Sequence, residues 1–177
     1  MSAQYVADAM ERVEVVLRRR PDMGLHDDAP ATARWRGSTR IVTSHANGIE
    51  IPTDMPGELG GTGDQVTPGW LMRAGLAACT ATRIAMGAAA AGIELTTLEL
   101  RASSRSDTRG LLGMAESDGT VVGAGPRDVQ LHVTIAANGV PAEKLRELVE
   151  ESHGCSPVPC AMQDETPVAL HIEVASA

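Results

Sequence analysis

The chain has no phenylalanine, one tyrosine and two tryptophans in 177 residues. Aromatic platforms for stacked bases and aromatic cages for ammonium groups are therefore nearly excluded. The core has to be built from Ala, Val, Leu, Ile and Met. Positive charge is also scarce, with 15 Lys and Arg against 23 Asp and Glu and a net charge of −8. A surface that acidic has no general attraction for phosphate backbones, which argues against nucleic acid and an anionic membrane surface as partners. Three cysteines are too few, and odd in number, for a disulfide scaffold. No basic-then-apolar leader stands at the N-terminus, so the expected compartment is the cytoplasm, where thiols stay reduced. Free thiols there are either buried filler or reactive groups.

What is present is an ordinary globular composition in a length that supports one core. Residues 2–20 carry apolar side chains at helical spacing (Tyr5, Val6, Ala9, Met10, Val13, Val16, Leu17). Ser2 is placed as a cap, Arg18, Arg19 and Arg20 lie at the C-terminal end, and Pro21 stops the helix. Residues 21–30 read as a linker. Short strand signals follow around Trp35 and Ile41–Val42, with Asn47-Gly48 as a hairpin turn. Residues 53–67 form a Gly-rich loop that holds Asp54, Glu58 and Asp64 but no Lys, which argues against a phosphate cradle.

The best-marked element runs from Thr67 (N-cap) and Pro68 to Gly92, with Trp70–Ala91 dominated by Ala, Leu and Met. Arg73, Arg83 and several Gly make it a buried central helix and not a membrane span. Strands are expected over 93–103 and 128–136, a loop over 106–127, and a helix over 141–152. A last strand is expected from the alternation of Val168, Leu170, Ile172 and Val174. Strands outnumber helices without βαβ order, which gives an α+β class.

Cys79, in the middle of the central helix, is either small filler or a thiolate nucleophile. It lies too deep for the helix dipole to reach. Arg83, one turn on and on the same face, is the expected cation. Cys155 and Cys160 flank two prolines. Zinc with His153 would lack a fourth ligand, so no metal is expected. One of the pair as a resolving thiol for Cys79, and both as inert loop thiols, stay open. No Ser-His-Asp order and no G-x-S-x-G turn is present. His132 and His171 fall on the polar side of their strands, and Trp70 is a candidate pocket or interface wall.

The run DMPGELGG, then TPGWLMRAGLAACTATRIAMGAAAAGIELTTLELR, resembles the OsmC/Ohr family of thiol-dependent hydroperoxide reductases. SRSDTRGLLGM is similar to the D-x-R-G-x-L-G loop of one branch, CSPV to the family's second motif, and TPVALHIEV to its closing strand. The resemblance covers residues 31–175. It implies antiparallel sheets around two central helices, an intertwined homodimer with active sites at the interface, and no cofactor. It implies residues 31–177 as the family domain, with 1–30 as an appended helix and linker. It also implies Cys79 as the peroxidatic thiol, which a hydroperoxide oxidises to sulfenic acid. A second Cys then closes a disulfide, and an external dithiol restores the enzyme.

Three positions depart from the family pattern. Gly69 stands where a Glu follows the helix-starting Pro, the loop MPGELGG has no Arg, and Ser156 occupies the resolver's position with Cys155 one residue early. Arg83, Arg73 or Arg36 are the candidate replacement cations and Glu58 the candidate carboxylate. Two functions follow. One is a peroxidase acting on small apolar hydroperoxides through Cys79, with Arg83 beside the thiolate and Cys155 as resolver. The other is a non-catalytic stress or small apolar ligand-binding protein on the same scaffold.

Overall fold

The computed structural model describes residues 2–164 and 166–175. The first helix, α1 (Ala3–Arg19), begins at Ser2, whose hydroxyl accepts from the Tyr5 N–H, and ends before Pro21. Three short strands follow, β1 (Thr32–Trp35), β2 (Ile41–Ser44) and β3 (Glu50–Thr53), paired antiparallel in that order. The turn between β1 and β2 carries two positive φ angles, at Gly37 and Ser38, and Gly48 at φ 88° turns β2 into β3. The Asn-Gly hairpin expected from sequence is thus in place.

The loop from Asp54 to Val66 is stitched to this sheet by one carboxylate. Asp54 is 2% exposed. It accepts from the Thr39 hydroxyl at 2.6 Å, the Thr62 N–H at 2.9 Å, the Thr62 hydroxyl at 2.7 Å and the Met55 N–H at 2.8 Å. Arg40 donates to both Asp54 and Asp64. Gly61 is obligatory here because a Cβ would stand 1.7 Å from the Met55 carbonyl oxygen.

The central helix α2 (Pro68–Ala90) starts on Thr67, which accepts from the Trp70 N–H at 3.2 Å. It closes on a left-handed Gly92 (φ 65°), with Gly92 N–H bonded to Ala89 and Ile93 N–H to Ala88. That pair of bonds is the Schellman stop. Strands β4 (Leu95–Arg105) and β5 (Arg127–Ala137) form a second antiparallel sheet. Helices α4 (Ala142–Gly154) and α5 (Pro157–Gln163) follow β5. The core is Ile84, Ala88, Ile93, Leu145 and Leu148, covered by the inward side chains of β4 and β5. The architecture is α+β with antiparallel sheets.

Two expectations need correction. The segment 106–127 is not all loop. It holds a short helix, α3 (Thr108–Leu111), capped by Asp107, and an Ala115–Val121 bridge. Arg109 grips Asp107 and Glu116, and Gly110 has no room for a Cβ, which would meet the Gly123 carbonyl oxygen at 2.3 Å. The closing strand does not form within the chain. Residues 166–175 take no regular structure, and Val168 and Val174 are about nine-tenths exposed. An alternating segment has no internal hydrogen bonds, so its pattern becomes a strand only where an edge pairs with it.

The Thr39 hydroxyl, followed by the Thr62 N–H and hydroxyl, holds the Asp54 carboxyl far below the usual carboxylate range. The Arg109 side chain holds Asp107 at about 2. A depressed folded-state value means stability that is complete above the unfolded value of about 3.9 and lost as pH falls below it. Urea midpoints should therefore drop steeply below about pH 4. Asp54→Asn should start lower at neutral pH and fall less steeply with acid. Parallel acid limbs in the two proteins would contradict the role given to Asp54.

Candidate functional site

Cys79 sits on the half-buried side of α2, in a run of Gly, Ala and Thr that lets neighbouring backbone come close. Two turns further along, at Gly87, side chains of α4 lie directly against the helix. A Cβ there would stand 2.9 Å from Leu148 Cδ1 and 3.1 Å from Ser152 Oγ, both on α4. The crossing therefore brings the C-terminal end of α4 against α2. Ser152 is buried, and its carbonyl accepts from the buried Ser156 hydroxyl at 2.7 Å. Ser156 is the N-cap of α5. The next residues, Pro-Val-Pro, have one backbone N–H among three, because proline has none. The Cys160 N–H is spent on the Ser156 carbonyl at 3.0 Å. The single free donor of the turn, Val158 N–H, points at Cys79 Sγ at 3.5 Å. Among the described residues this is the one hydrogen bond to the thiol. An N–H···S contact of this kind strengthens when the sulfur carries charge.

The side chains expected to assist Cys79 lie elsewhere. Arg83 Nη1 stands 3.4 Å from the Cβ position of Gly87, one turn beyond Arg83 and away from Cys79. Gly87 and Cys79 are about 12 Å apart along the axis. The Arg83 guanidinium instead borders a cleft between α1, α2 and α4 that also holds Glu14, Glu147 and Glu151. Arg73 donates to Ser104 on β4 at 3.3 Å. Arg36 and Glu58 are exposed. Cys155 is exposed at the C-cap of α4, and the half-buried Cys160 donates from Sγ to the Gly154 carbonyl at 3.4 Å. All three cysteines are free thiols. His153 pairs with Gln163, and among the described residues no three His, Cys, Asp or Glu side chains gather to hold a metal ion. Trp70 is 47% exposed, so it is no part of this chain's core.

Between α2, β5, α4 and α5 lies a mainly apolar cavity of about 430 Å³, bounded by Leu76, Thr80, Leu131, Val149, Pro159 and Met162. Two buried polar atoms on its lining residues, Thr80 Oγ1 and His153 Nδ1, have no partner among the described residues.

A family model described as OsmC-like protein matches residues 61–171, the stretch that contains α2, both long strands and the α4–α5 turn. The chain belongs to the OsmC family. Solved structures agree with the OsmC fold. An OsmC-like protein from Mycoplasma pneumoniae superposes with a TM-score of 0.64 at 19% identity, over 78% of this chain and 89% of that one. An organic hydroperoxide resistance protein from Elizabethkingia anophelis, with thiocyanate bound, gives 0.59 at 25% identity over 78% and 90%. An organic hydroperoxide resistance protein OsmC from Legionella pneumophila gives 0.55 at 20% identity over 78% and 92%. No curated protein matches the chain.

Sequence reasoning centred on side chains and missed the backbone donor. The signal was in the string all the same: Ser-Pro-Val-Pro leaves one N–H in the first turn of a helix. The geometry predicts that Arg83→Ala leaves the rate of iodoacetamide alkylation at Cys79 unchanged at neutral pH. Val158→Pro, which deletes the donor in the first helical turn, where no intrahelical hydrogen bond is lost, should slow it several-fold. A slowed Arg83→Ala protein would restore Arg83 as the partner of the thiol.

Proposed function

We propose that this OsmC-family protein is a thiol-dependent peroxidase that reduces organic hydroperoxides through Cys79. The observation that supports it is the half-buried Cys79 thiol, which among the described residues accepts one hydrogen bond, from the backbone N–H of Val158. The Elizabethkingia and Legionella proteins, named for organic hydroperoxide resistance, point the same way. The Cys79 thiolate attacks the outer peroxide oxygen, the O–O bond breaks, and the alcohol leaves with one proton. Sulfur is oxidised to sulfenic acid. The Val158 N–H steadies the anion before attack.

Ser156, and not Cys155, is the residue buried in the turn beside Cys79. We therefore assign reduction of the sulfenic acid to an external dithiol, which returns the thiol and releases water. No helix among the described residues is long and apolar enough to cross a membrane. We place the protein in the cytoplasm, where such dithiols are available.

The active form in this reading is a homodimer. Strand β1 is exposed along its whole length, Trp35 is 71% and Trp70 47% exposed, and the apolar side of residues 168–174 has no cover. Burying side chains of that size contributes about 1.5–3 kcal/mol each. A second copy placed against the β1–β3 sheet supplies that burial and an edge for the C-terminal segment.

A second reading, a carrier of a small apolar molecule, is favoured by the cavity beside α5 and its two unpartnered polar atoms. Thiol-dependent turnover of tert-butyl hydroperoxide separates the two. The peroxidase reading expects turnover in the wild type and loss to background in Cys79→Ser. Equal rates in both proteins would leave the carrier. Light scattering at micromolar concentration should give twice the monomer mass, and a monomer would sink the dimer.

A further inference from the structure

We infer that Cys155 and Cys160 form a redox couple of their own, a dithiol that closes to a disulfide across the turn presenting Val158 to Cys79. Ser156 is the N-cap of α5, with extended backbone (φ −90°, ψ 119°). Cys155 therefore stands at the position before the cap, and Cys160 at the fourth helical position. Side chains at those two positions pack on each other across a helix start. Cys160 Sγ folds back to 3.4 Å from the Gly154 carbonyl oxygen, which belongs to the peptide that joins Gly154 to Cys155. Both thiols are free, and Cys155 is open to solvent. Pro157 and Pro159 already restrict the enclosed segment, so closing the ring removes little further backbone freedom. Bridging requires Cα atoms about 4.4–6.8 Å apart, a spacing within reach of two side chains that meet across a cap.

The chemistry balances with a hydroperoxide as oxidant. The exposed Cys155 thiolate takes the outer oxygen, giving a sulfenic acid and releasing the alcohol. The Cys160 thiol then attacks that sulfur, the S–O bond breaks, and water leaves. Two thiols lose two electrons, and the peroxide gains them. The bridge fixes the turn that holds Val158 N–H on Cys79. This consequence, though not the bridge itself, rests on the peroxidase reading.

The last Lys or Arg of the chain is Arg146, so trypsin releases both cysteines in one peptide, Glu147–Ala177. Cys79→Ser is treated with stoichiometric tert-butyl hydroperoxide, alkylated and digested. The expected product is that peptide with an internal disulfide and no alkyl label, absent in Cys79→Ser/Cys160→Ala. The same mapping on wild-type protein covers the event that Cys79→Ser fails to fold. Full alkylation of both thiols after oxidant, or a wild-type cross-link between Cys155 and the Cys79 peptide, would overturn the couple. Amide exchange at Val158 should slow several-fold once the bridge forms; an unchanged rate would overturn the link to Cys79. If the bridge forms while no hydroperoxide turnover is found, the peroxidase reading fails and the couple stands.

Discussion

The contact between α2 and α4 at Gly87 sets the rest of the molecule. A methyl group at residue 87 would collide with Leu148 and crowd Ser152. The Leu148 and Ser152 side chains would then have to turn aside, in a core where neighbours leave little slack. The crossing fixes where α4 ends, and the end of α4 fixes the Ser152–Ser156 hydrogen bond. That bond orients the first turn of α5, and the turn carries the N–H that meets Cys79. A small-residue helix is thus more than a filler of space. Its small side chains let α4 pack on it, and the turn that follows α4 presents a backbone N–H to a sulfur two turns away.

Much of this is legible in the sequence. The caps of α1 and α2 fall where Ser2, Thr67 and Gly92 placed them, because each rests on a local hydrogen bond that its own sequence supplies. The strand pattern of β5 held because β4 supplies a partner next to it. The pattern at residues 168–174 is as clean but forms no strand inside the chain, since alternation specifies a face and says nothing of a neighbour. The positions of Arg83 and Asp54 were not legible. Helical spacing puts Arg83 on the face of Cys79, but a long side chain can run either way along its helix, and here it runs to Gly87. Asp54 read as a reason against phosphate binding, whereas its carboxylate is the acceptor on which the glycine-rich loop is hung.

The departures from the family pattern then fall into one physical scheme. A charged side chain beside a thiol can be lost to a single substitution, and this chain lacks both the Arg of the preceding loop and the Glu after Pro68. Arg40, which stands near that loop, is already committed to Asp54 and Asp64. What is left facing Cys79 is a peptide N–H. A backbone donor is weaker than a guanidinium and carries no net charge, so its effect depends on being held in place. The sequence supplies the means of holding it. The prolines on either side of Val158 fix their own φ angles, and the Ser156 side chain ties the turn back to α4. A site that relies on one neutral donor is only as constant as the turn that carries it, and the two cysteines that bracket this turn give the chain a covalent way to set how firmly it is held.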